Sequence, residues 1–363
     1  MGGLETYVRE LVPSLLSVRP GLGIRIYLNR EGRRLLEPEP WAGDVELVSY
    51  PWLGVPGTRA ASEATVLGML ASRDGLDVLH NVALTAPLRT RVANVVLLAD
   101  LTWLRQPETV GRARSFLWRT LVLPAARRAD RVITLSKASR REIVEDVGIA
   151  PERVDVVPLG YGTPPRGEPA PEQELRKSLQ LGDGPILLSV SALTPHKNVG
   201  ALLEAIVILR ESHPTVMLVV PGNPSAHGET LVARAAAFGI SSNVSFPGWV
   251  SSAELESLYR AATCLVLAST REGFGLPLLE AMARGLPVAC SRASALPEVA
   301  GDAAVYFDPH SVHEIAATVR RLLDDPALAR ELSAKGTERS KSFTWRRTAE
   351  KTLRSFERAL ASR

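Results

Sequence analysis

The sequence predicts an α/β protein made of two doubly wound parallel sheets, and three observations predict it. The chain has 363 residues, more than a single hydrophobic core usually serves. Short β-branched runs alternate with amphipathic helical stretches, the rhythm of strand–helix–strand units. Those runs fall into two series separated by the proline-rich stretch "GTPPRGEPAPEQ".

The first element is a helix that opens within "MGGLETYVREL". Leu4, Val8, Leu11 and Leu15 recur at helical spacing as one apolar stripe, which Pro13 is expected to interrupt and bend. Gly2 and Gly3 have the character of a strand-to-helix turn, yet no strand stands before them in the sequence. In a doubly wound sheet that strand is usually central. The first strand of the N-terminal sheet is therefore read as missing, and Met1 as an internal methionine of a longer natural protein.

The runs "IRIYL", "DVLH", "NVVLLA", "RVITL" and "VDVV" read as strands of the first half, and "PILLSV", "TVMLVV", "NVSF", "TCLVLA" and "PVAC" as strands of the second. Between them Pro164, Pro165, Pro169 and Pro171 exclude regular structure and stiffen a linker. From about Val312 the chain reads as helical, with "SFTW" (Ser342 to Trp345) as the break before the last helix. The expected organisation is a Rossmann-like domain over 1–163, a linker region over 164–184 and a second Rossmann-like domain over 185–344.

Composition excludes several classes. An apolar fraction of 45% and a charged fraction of 23% are those of a folded globular protein. Apolar runs are about five residues long, against the ~20 needed to span a bilayer, and no signal peptide is legible at the start, so a cytoplasmic location is expected. The net charge of +4 is not gathered into a nucleic-acid motif, so nucleic acid is not an expected partner. The excess favours anionic small molecules or membrane surfaces. Cys264 and Cys290 lie in apolar strand-like runs, which suits buried reduced thiols. His310 and His313 share a helix face, but no third ligand lies near in sequence, so no metal site is expected.

The chemistry concentrates in residues 264–309. A strand ends in a polar loop where Gly273 and Gly275 allow close backbone approach. Pro277 suits the first turn of a helix that Gly285 stops. The positive helix end then faces the crevice at the strand's carboxyl edge and favours an anion. Glu272 in the loop and Glu280 in the helix can accept hydrogen bonds from hydroxyls, a pairing that suits a polyhydroxylated phosphate ester. On spacing alone a second reading stands beside it, with Glu280 complementing the helix dipole and Glu272 solvated.

The run Glu-Gly-Phe-Gly-Leu-Pro (272–277), followed by Glu280-Ala-Met-Ala, "GLPVACS" and "LPEVAGDAA", resembles the donor-site signature of family 4 retaining glycosyltransferases. It is nearest the mannosyltransferase-like branch that builds polysaccharides. The resemblance spans essentially the whole chain. It implies the GT-B fold, with two Rossmann-like domains facing across a cleft, an N-terminal acceptor domain to which the last helix (345–363) crosses back, and a C-terminal nucleotide-sugar domain. Carried over by position, Glu280 would hold the ribose hydroxyls and Glu272 the sugar hydroxyls. Backbone groups of Gly273, Phe274, Gly275 and Leu276 would meet the sugar and diphosphate, and Gly2 and Gly3 would approach the diphosphate.

Further positions follow the same resemblance. Lys197, in "SVSALTPHKN", resembles the family's phosphate-binding lysine, and an ammonium there can balance a leaving diphosphate where the sequence offers no Asp-x-Asp pair for a divalent metal. Read alone it is an ordinary surface lysine. The arginine often found five residues earlier is here Ala192. Trp249 and Val250 resemble the base-binding turn, although an aromatic beside a turn also fits core packing. Where the family usually reads His-Asp this chain has Ala99-Asp100, which leaves Asp100 as the polar candidate at the donor–acceptor junction or as a simple turn cap. His80 stands at a strand's carboxyl edge as an acceptor-side residue or a core histidine. Residues 112–131 combine Phe116, Trp118 and Leu121 with six arginines. They read either as a basic helix resting on an anionic membrane or as a helix packed on the sheet.

The expected function is a metal-independent, cofactor-free retaining hexosyltransferase. A nucleotide sugar is its donor, GDP-mannose first, and a glycan or lipid-linked species its acceptor. Donors carrying UDP or dTDP compete within that class. Ala99, Ala192 and the missing strand also admit a sugar-nucleotide-binding protein without turnover.

Overall fold

The computed structural model describes residues 3–50, 59–82, 85–107, 111–162 and 167–363, leaving aside the side chains of 59–61 and 112–114. Gly2, Pro164 and Pro165 lie outside the described residues. The chain divides into two compact units, Met1–Gly160 with Phe343–Arg363, and Tyr161–Ser342.

The first unit holds strands β1 (Arg25–Leu28), β2 (Glu46–Ser49), β3 (Val78–Asn81), β4 (Ala93–Leu97), β5 (Arg131–Thr134) and β6 (Val154–Val156). They form two separate parallel sheets, a two-stranded β1-β2 and a four-stranded β3-β4-β5-β6. All five residues of β4 are buried, as befits an inner parallel strand covered on both faces. In the core, Val12, Leu36 and Trp41 pack near β1, Val96, Val122, Val132 and Ile143 pack around β4 and β5, and Tyr27 of β1 packs on a cluster that holds Leu79 of β3.

The second unit holds β7 (Ile186–Leu188), β8 (Met217–Pro221), β9 (Val244–Gly248), β10 (Cys264–Leu267), β11 (Val288–Ser291) and β12 (Val305–Phe307). These make one six-stranded parallel sheet ordered β12-β11-β10-β7-β8-β9. Its first strand, β7, is central and pairs with β8 on one edge and β10 on the other. One core cluster on the sheet runs from Leu187 and Leu203 to Val266 and Phe307, and Ile186, Leu188, Val219, Leu265 and Leu278 are buried outside it. Cys264 and Cys290 are buried and unbridged, as expected, and burial raises the Cys264 thiol to about 12.

Several expectations change. The Gly3–Val18 helix continues through Pro13 rather than breaking there. Its buried face is Tyr7, Leu11, Val12 and Leu15, whereas Leu4 is 46% exposed because it borders a cavity of the first unit. The region 164–184 is not all linker. A helix spans Glu172–Ser178 with Leu175 buried, and Pro171 sits at its N-cap, where a missing N–H costs nothing. Two strands absent from the reading, β2 and β12, are short sheet edges whose residues are mostly half-exposed, so they carry little apolar signal.

The last helix, Trp345–Ala361, belongs to the first unit and packs on β4 and β5. Its backbone lies so near Gly160 that a Cβ there would stand 2.2 Å from the Trp345 nitrogen. Asp155 on β6 ties the helix down. Its carboxylate accepts from Arg131 at 2.6 Å, from Arg358 at 2.7 Å and from Ser355 at 2.8 Å. Burial alone would raise the Asp155 pKa, but Arg131 and Ser355 outweigh it and hold the group below the usual carboxylate range.

A carboxylate with a depressed folded pKa contributes stability above its unfolded pKa of about 3.9 and loses it as pH falls through the folded value. Asp155→Asn should therefore destabilise the protein by about 1.5–3 kcal/mol at pH 7. The deficit should shrink below pH ~4, and urea denaturation of both proteins across that range checks it.

Candidate functional site

The candidate site lies in the second unit, where loops leave the carboxyl ends of two neighbouring strands, β7 and β10. After β7 the chain makes a short turn at Pro195–Lys197. Asn198 then takes the left-handed conformation at φ 56° and opens the Val199–Leu209 helix. After β10, residues 268–275 lead into the Leu276–Ala283 helix. The two loops are joined at the backbone, because the Thr270 N–H and hydroxyl both donate to the His196 carbonyl, at 2.8 and 3.2 Å.

The same junction brings two predicted residues together. Lys197 Nζ donates to Glu272 Oε1 at 2.7 Å, and Ser269 Oγ donates to the same oxygen at 2.8 Å. Both side chains are largely shielded, 18% and 12% exposed. Glu272 is thus an oriented and charge-balanced carboxylate rather than a solvated one. Lys197 is no ordinary surface lysine.

The Leu276–Ala283 helix has no side-chain cap at its start, where Gly275 adopts φ 95°. A Cβ at Gly275 would lie 2.6 Å from Leu296 Cδ2, so both the backbone angle and the space require glycine. Pro277 has no N–H and Leu278 N–H donates to the Gly275 carbonyl at 3.1 Å, so it is the aligned peptide dipoles that make this end positive. Three residues from Glu272, that end adds positive potential to the Lys197 charge. The Phe274 ring is buried, 4% exposed, and anchors the loop in the core.

Glu280 sits half-buried one turn into this helix, held by a network that sequence reasoning missed. Tyr259 Oη donates to Glu280 Oε2 at 2.8 Å. Arg284 lies 4.7 Å over the Tyr259 ring and donates to Glu256 Oε2 at 2.7 Å. Burial pushes the Glu280 carboxyl above its ordinary range, although the Tyr259 hydroxyl and Arg284 pull the other way. Burial also raises Tyr259 well above its usual value, so the phenol stays a donor. The one trace in sequence was Glu256 four residues before Arg260, a pair that the structure does form.

Trp249 follows β9 and is 55% exposed, with Val250 half-buried beside it. The core-packing reading of Trp249 is therefore set aside.

The remaining predicted residues lie in the first unit. Asp100 Oδ1 accepts from the Thr102 N–H at 2.8 Å and so caps the Thr102–Arg105 turn. His80, at the end of β3, is half-buried and lines a cavity of the first unit. Its Nε2 bonds the Tyr7 hydroxyl at 3.0 Å, and its ring stands 5.3 Å from that of Phe356. Burial lowers its pKa to about 4, which keeps it neutral at physiological pH. Gly3 begins the first helix. In the Arg112–Arg128 helix Trp118 packs on Trp103, and Arg119 and Arg127 donate to main-chain carbonyls. Phe116 remains 70% exposed.

Among the described residues no three His, Cys, Asp or Glu side chains gather as a metal site, and no helix is long and apolar enough to cross a membrane. His310 and His313 are both exposed.

Tyr259→Phe should raise the Glu280 pKa further and destabilise the protein by about 0.5–1.5 kcal/mol, the net worth of one hydrogen bond to a half-buried group. Carboxyl-carbon NMR titration and thermal melting check the two effects separately.

Comparison with known proteins adds an independent finding. Residues 1–163 match the family Glycosyltransferase Family 4, and residues 171–339 match Glycosyl transferases group 1. The chain is 35% identical to an MMP alpha-(1->4)-mannosyltransferase of Mycolicibacterium hassiacum, over 99% of this chain and 88% of that protein. It is 32% identical to the O-antigen chain mannosyltransferase B of Escherichia coli, over 62% of this chain and 60% of that one. Among solved structures, the sucrose-phosphate synthase of Thermosynechococcus elongatus superposes with a TM-score of 0.78 at 19% identity. That match covers 100% of this chain and 94% of the synthase. The fold is that of the GT-B class.

Proposed function

The chain belongs to the family 4 glycosyltransferases, in their mannosyltransferase branch, and is a hexosyltransferase; from that premise we propose that it transfers mannose from GDP-mannose, with retention of configuration and without a metal, to a glycan or lipid-linked acceptor. The observation that carries the site is the Lys197–Glu272 pair, 2.7 Å apart, beside the uncapped start of the Leu276–Ala283 helix. In this reading the ammonium and the aligned peptide dipoles hold the diphosphate as it leaves. The names of the mannosyltransferase relatives support the choice of sugar.

In this reading Glu280 accepts from the ribose hydroxyls while Tyr259 holds one of its oxygens and sets its direction. Glu272 accepts from hydroxyls of the donor sugar. Lys197 turns from Glu272 toward the diphosphate when the donor binds, and Trp249 with Val250 borders the base. The bond between the sugar's anomeric carbon and the phosphate oxygen breaks as the acceptor oxygen bonds to that carbon on the same face. The acceptor proton passes to the departing phosphate oxygen, so no protein base is required. With a lipid-linked acceptor, Phe116 and Leu117, 70% and 40% exposed, are the apolar side chains of residues 112–131 that would meet the membrane.

Glu280→Ala should weaken binding of the nucleoside diphosphate by ~1–3 kcal/mol in calorimetric titration. Unchanged affinity would remove the ribose assignment. Lys197→Ala should lower kcat on the order of 10²–10³ and, by leaving the shielded Glu272 carboxylate unbalanced, lower the melting temperature of the ligand-free protein. Adding Glu272→Gln should restore the melting temperature and not kcat; recovery of both would instead make the pair structural. A panel of GDP-, UDP- and dTDP-hexoses, with and without chelator, should show release of GDP alone and undiminished by the chelator. Release of UDP or dTDP would move the donor assignment.

A further inference from the structure

Behind the Glu272 loop stand two buried serines, Ser269 and Ser291, 1% and 0% exposed. Strands β10 and β11 pair in parallel, and their ladder closes at Leu267 and Cys290. Beyond that point a side chain continues the tie, because Ser291 Oγ donates to the Ser269 carbonyl at 2.5 Å. The Ser269 main chain is thereby fixed to the neighbouring strand where the loop leaves the sheet. A buried serine hydroxyl most often donates to a main-chain carbonyl, as Ser257 does to Ala253 at 3.0 Å. Ser269 instead donates to a carboxylate, Glu272 Oε1, at 2.8 Å.

That oxygen has two donors of different kinds. Lys197 Nζ, at 2.7 Å, ends a flexible four-carbon stem that comes from the other loop and carries a full charge. Ser269 Oγ projects from the same loop as Glu272, on a short side chain packed out of solvent. Both bonds fall on Oε1, and among the described residues no hydrogen bond reaches Oε2. Once a diphosphate draws Lys197 away, the serine hydroxyl remains on Oε1. A hydroxyl bond to a carboxylate is short and strong, so the carboxylate keeps its direction while its free oxygen meets the ligand.

Resting on the reading that Glu272 meets the donor sugar, we propose that Ser269 is a positioning residue for that contact: its hydroxyl holds Oε1 while Lys197 passes from carboxylate to diphosphate, and Oε2 stays directed at one hydroxyl of the sugar. Ser291 serves the same end by fixing the main chain from which the Ser269 hydroxyl projects. The lysine supplies charge and moves; the serine supplies direction and stays. Ser269 thereby sharpens the choice of donor, since a carboxylate aimed at a hydroxyl rejects a sugar lacking it more strongly than one free to turn.

The test uses the whole chain, the nucleotide hexose that the release panel selects (GDP-mannose in this reading), the monodeoxy forms of that donor, and methyl mannoside as acceptor. Ser269→Ala, Ser269→Thr and Glu272→Ala are compared with the wild type for kcat/KM of nucleotide release, for calorimetric affinity toward the same donors, and for melting temperature. The wild type should penalise one deoxy donor most. Ser269→Ala should lower kcat/KM for the parent donor about ten- to hundredfold and shrink that penalty. Ser269→Thr, which keeps the hydroxyl, should restore both. A Ser269→Ala protein that matches the wild type, or that lowers every donor by one common factor, overturns the proposal, because a hydroxyl that only packs would act in that way. Glu272→Ala separates this proposal from the reading beneath it. If Glu272→Ala flattens the penalty and Ser269→Ala leaves it intact, the proposal alone falls. If Glu272→Ala leaves it intact, the assignment of Glu272 to the sugar falls and the proposal with it. Should the added methyl of Ser269→Thr lower the melting temperature, the pattern of Ser269→Ala across the donors decides by itself.

Discussion

A parallel strand inside a sheet has to satisfy peptide groups on both edges, and it can do so only through neighbours that the chain reaches by long crossovers. In the second unit β7 meets this demand with β8 on one side and β10 on the other. The requirement does more than hold a sheet together. It forces the loops after β7 and β10 to leave side by side from the same end. Lys197 and Glu272, 75 positions apart, meet at 2.7 Å for that reason.

From that junction the chemistry follows by short steps. Ser269 and Lys197 share one oxygen of Glu272, so the carboxylate is aimed before any ligand arrives. The Thr270 bonds to the His196 carbonyl keep the two loops in register. Glu280 depends instead on the helix that precedes β10. Tyr259 reaches it from the Ser252–Ala261 helix, and Arg284 closes the network back onto Glu256. A half-buried carboxylate whose pKa is already raised by its surroundings has much to gain from a hydroxyl-bearing ligand that favours the ionised form.

Among the described residues the strands of the first unit do not join into one sheet. They are split between β1-β2 and β3 to β6, and the C-terminal helix packs against the first helix beside the division. Asp155, Gly160 and the Trp345 backbone hold that C-terminal helix in place. His80, which stands at the split, is held by aromatic neighbours and the Tyr7 hydroxyl.

Much was legible in the sequence because it is local. Ten strand-like runs stand out by apolar, β-branched content, and each lies on a strand of the structure. The Gly275–Pro277 helix start and the Glu272/Glu280 spacing were likewise readable, since a loop and a helix turn need only nearby residues. The resemblance to family 4 glycosyltransferases was carried by the same contiguous run. Other features were decided only in three dimensions. The Lys197–Glu272 bond and the Tyr259–Glu280–Arg284–Glu256 network depend on strand order and helix packing, which no periodicity records. Whether Trp249 is buried and which face of the first helix is covered were open until packing chose. The sequence named the residue types able to do the chemistry; the sheet topology determined which of them touch, because backbone pairing across distant segments fixes their distance.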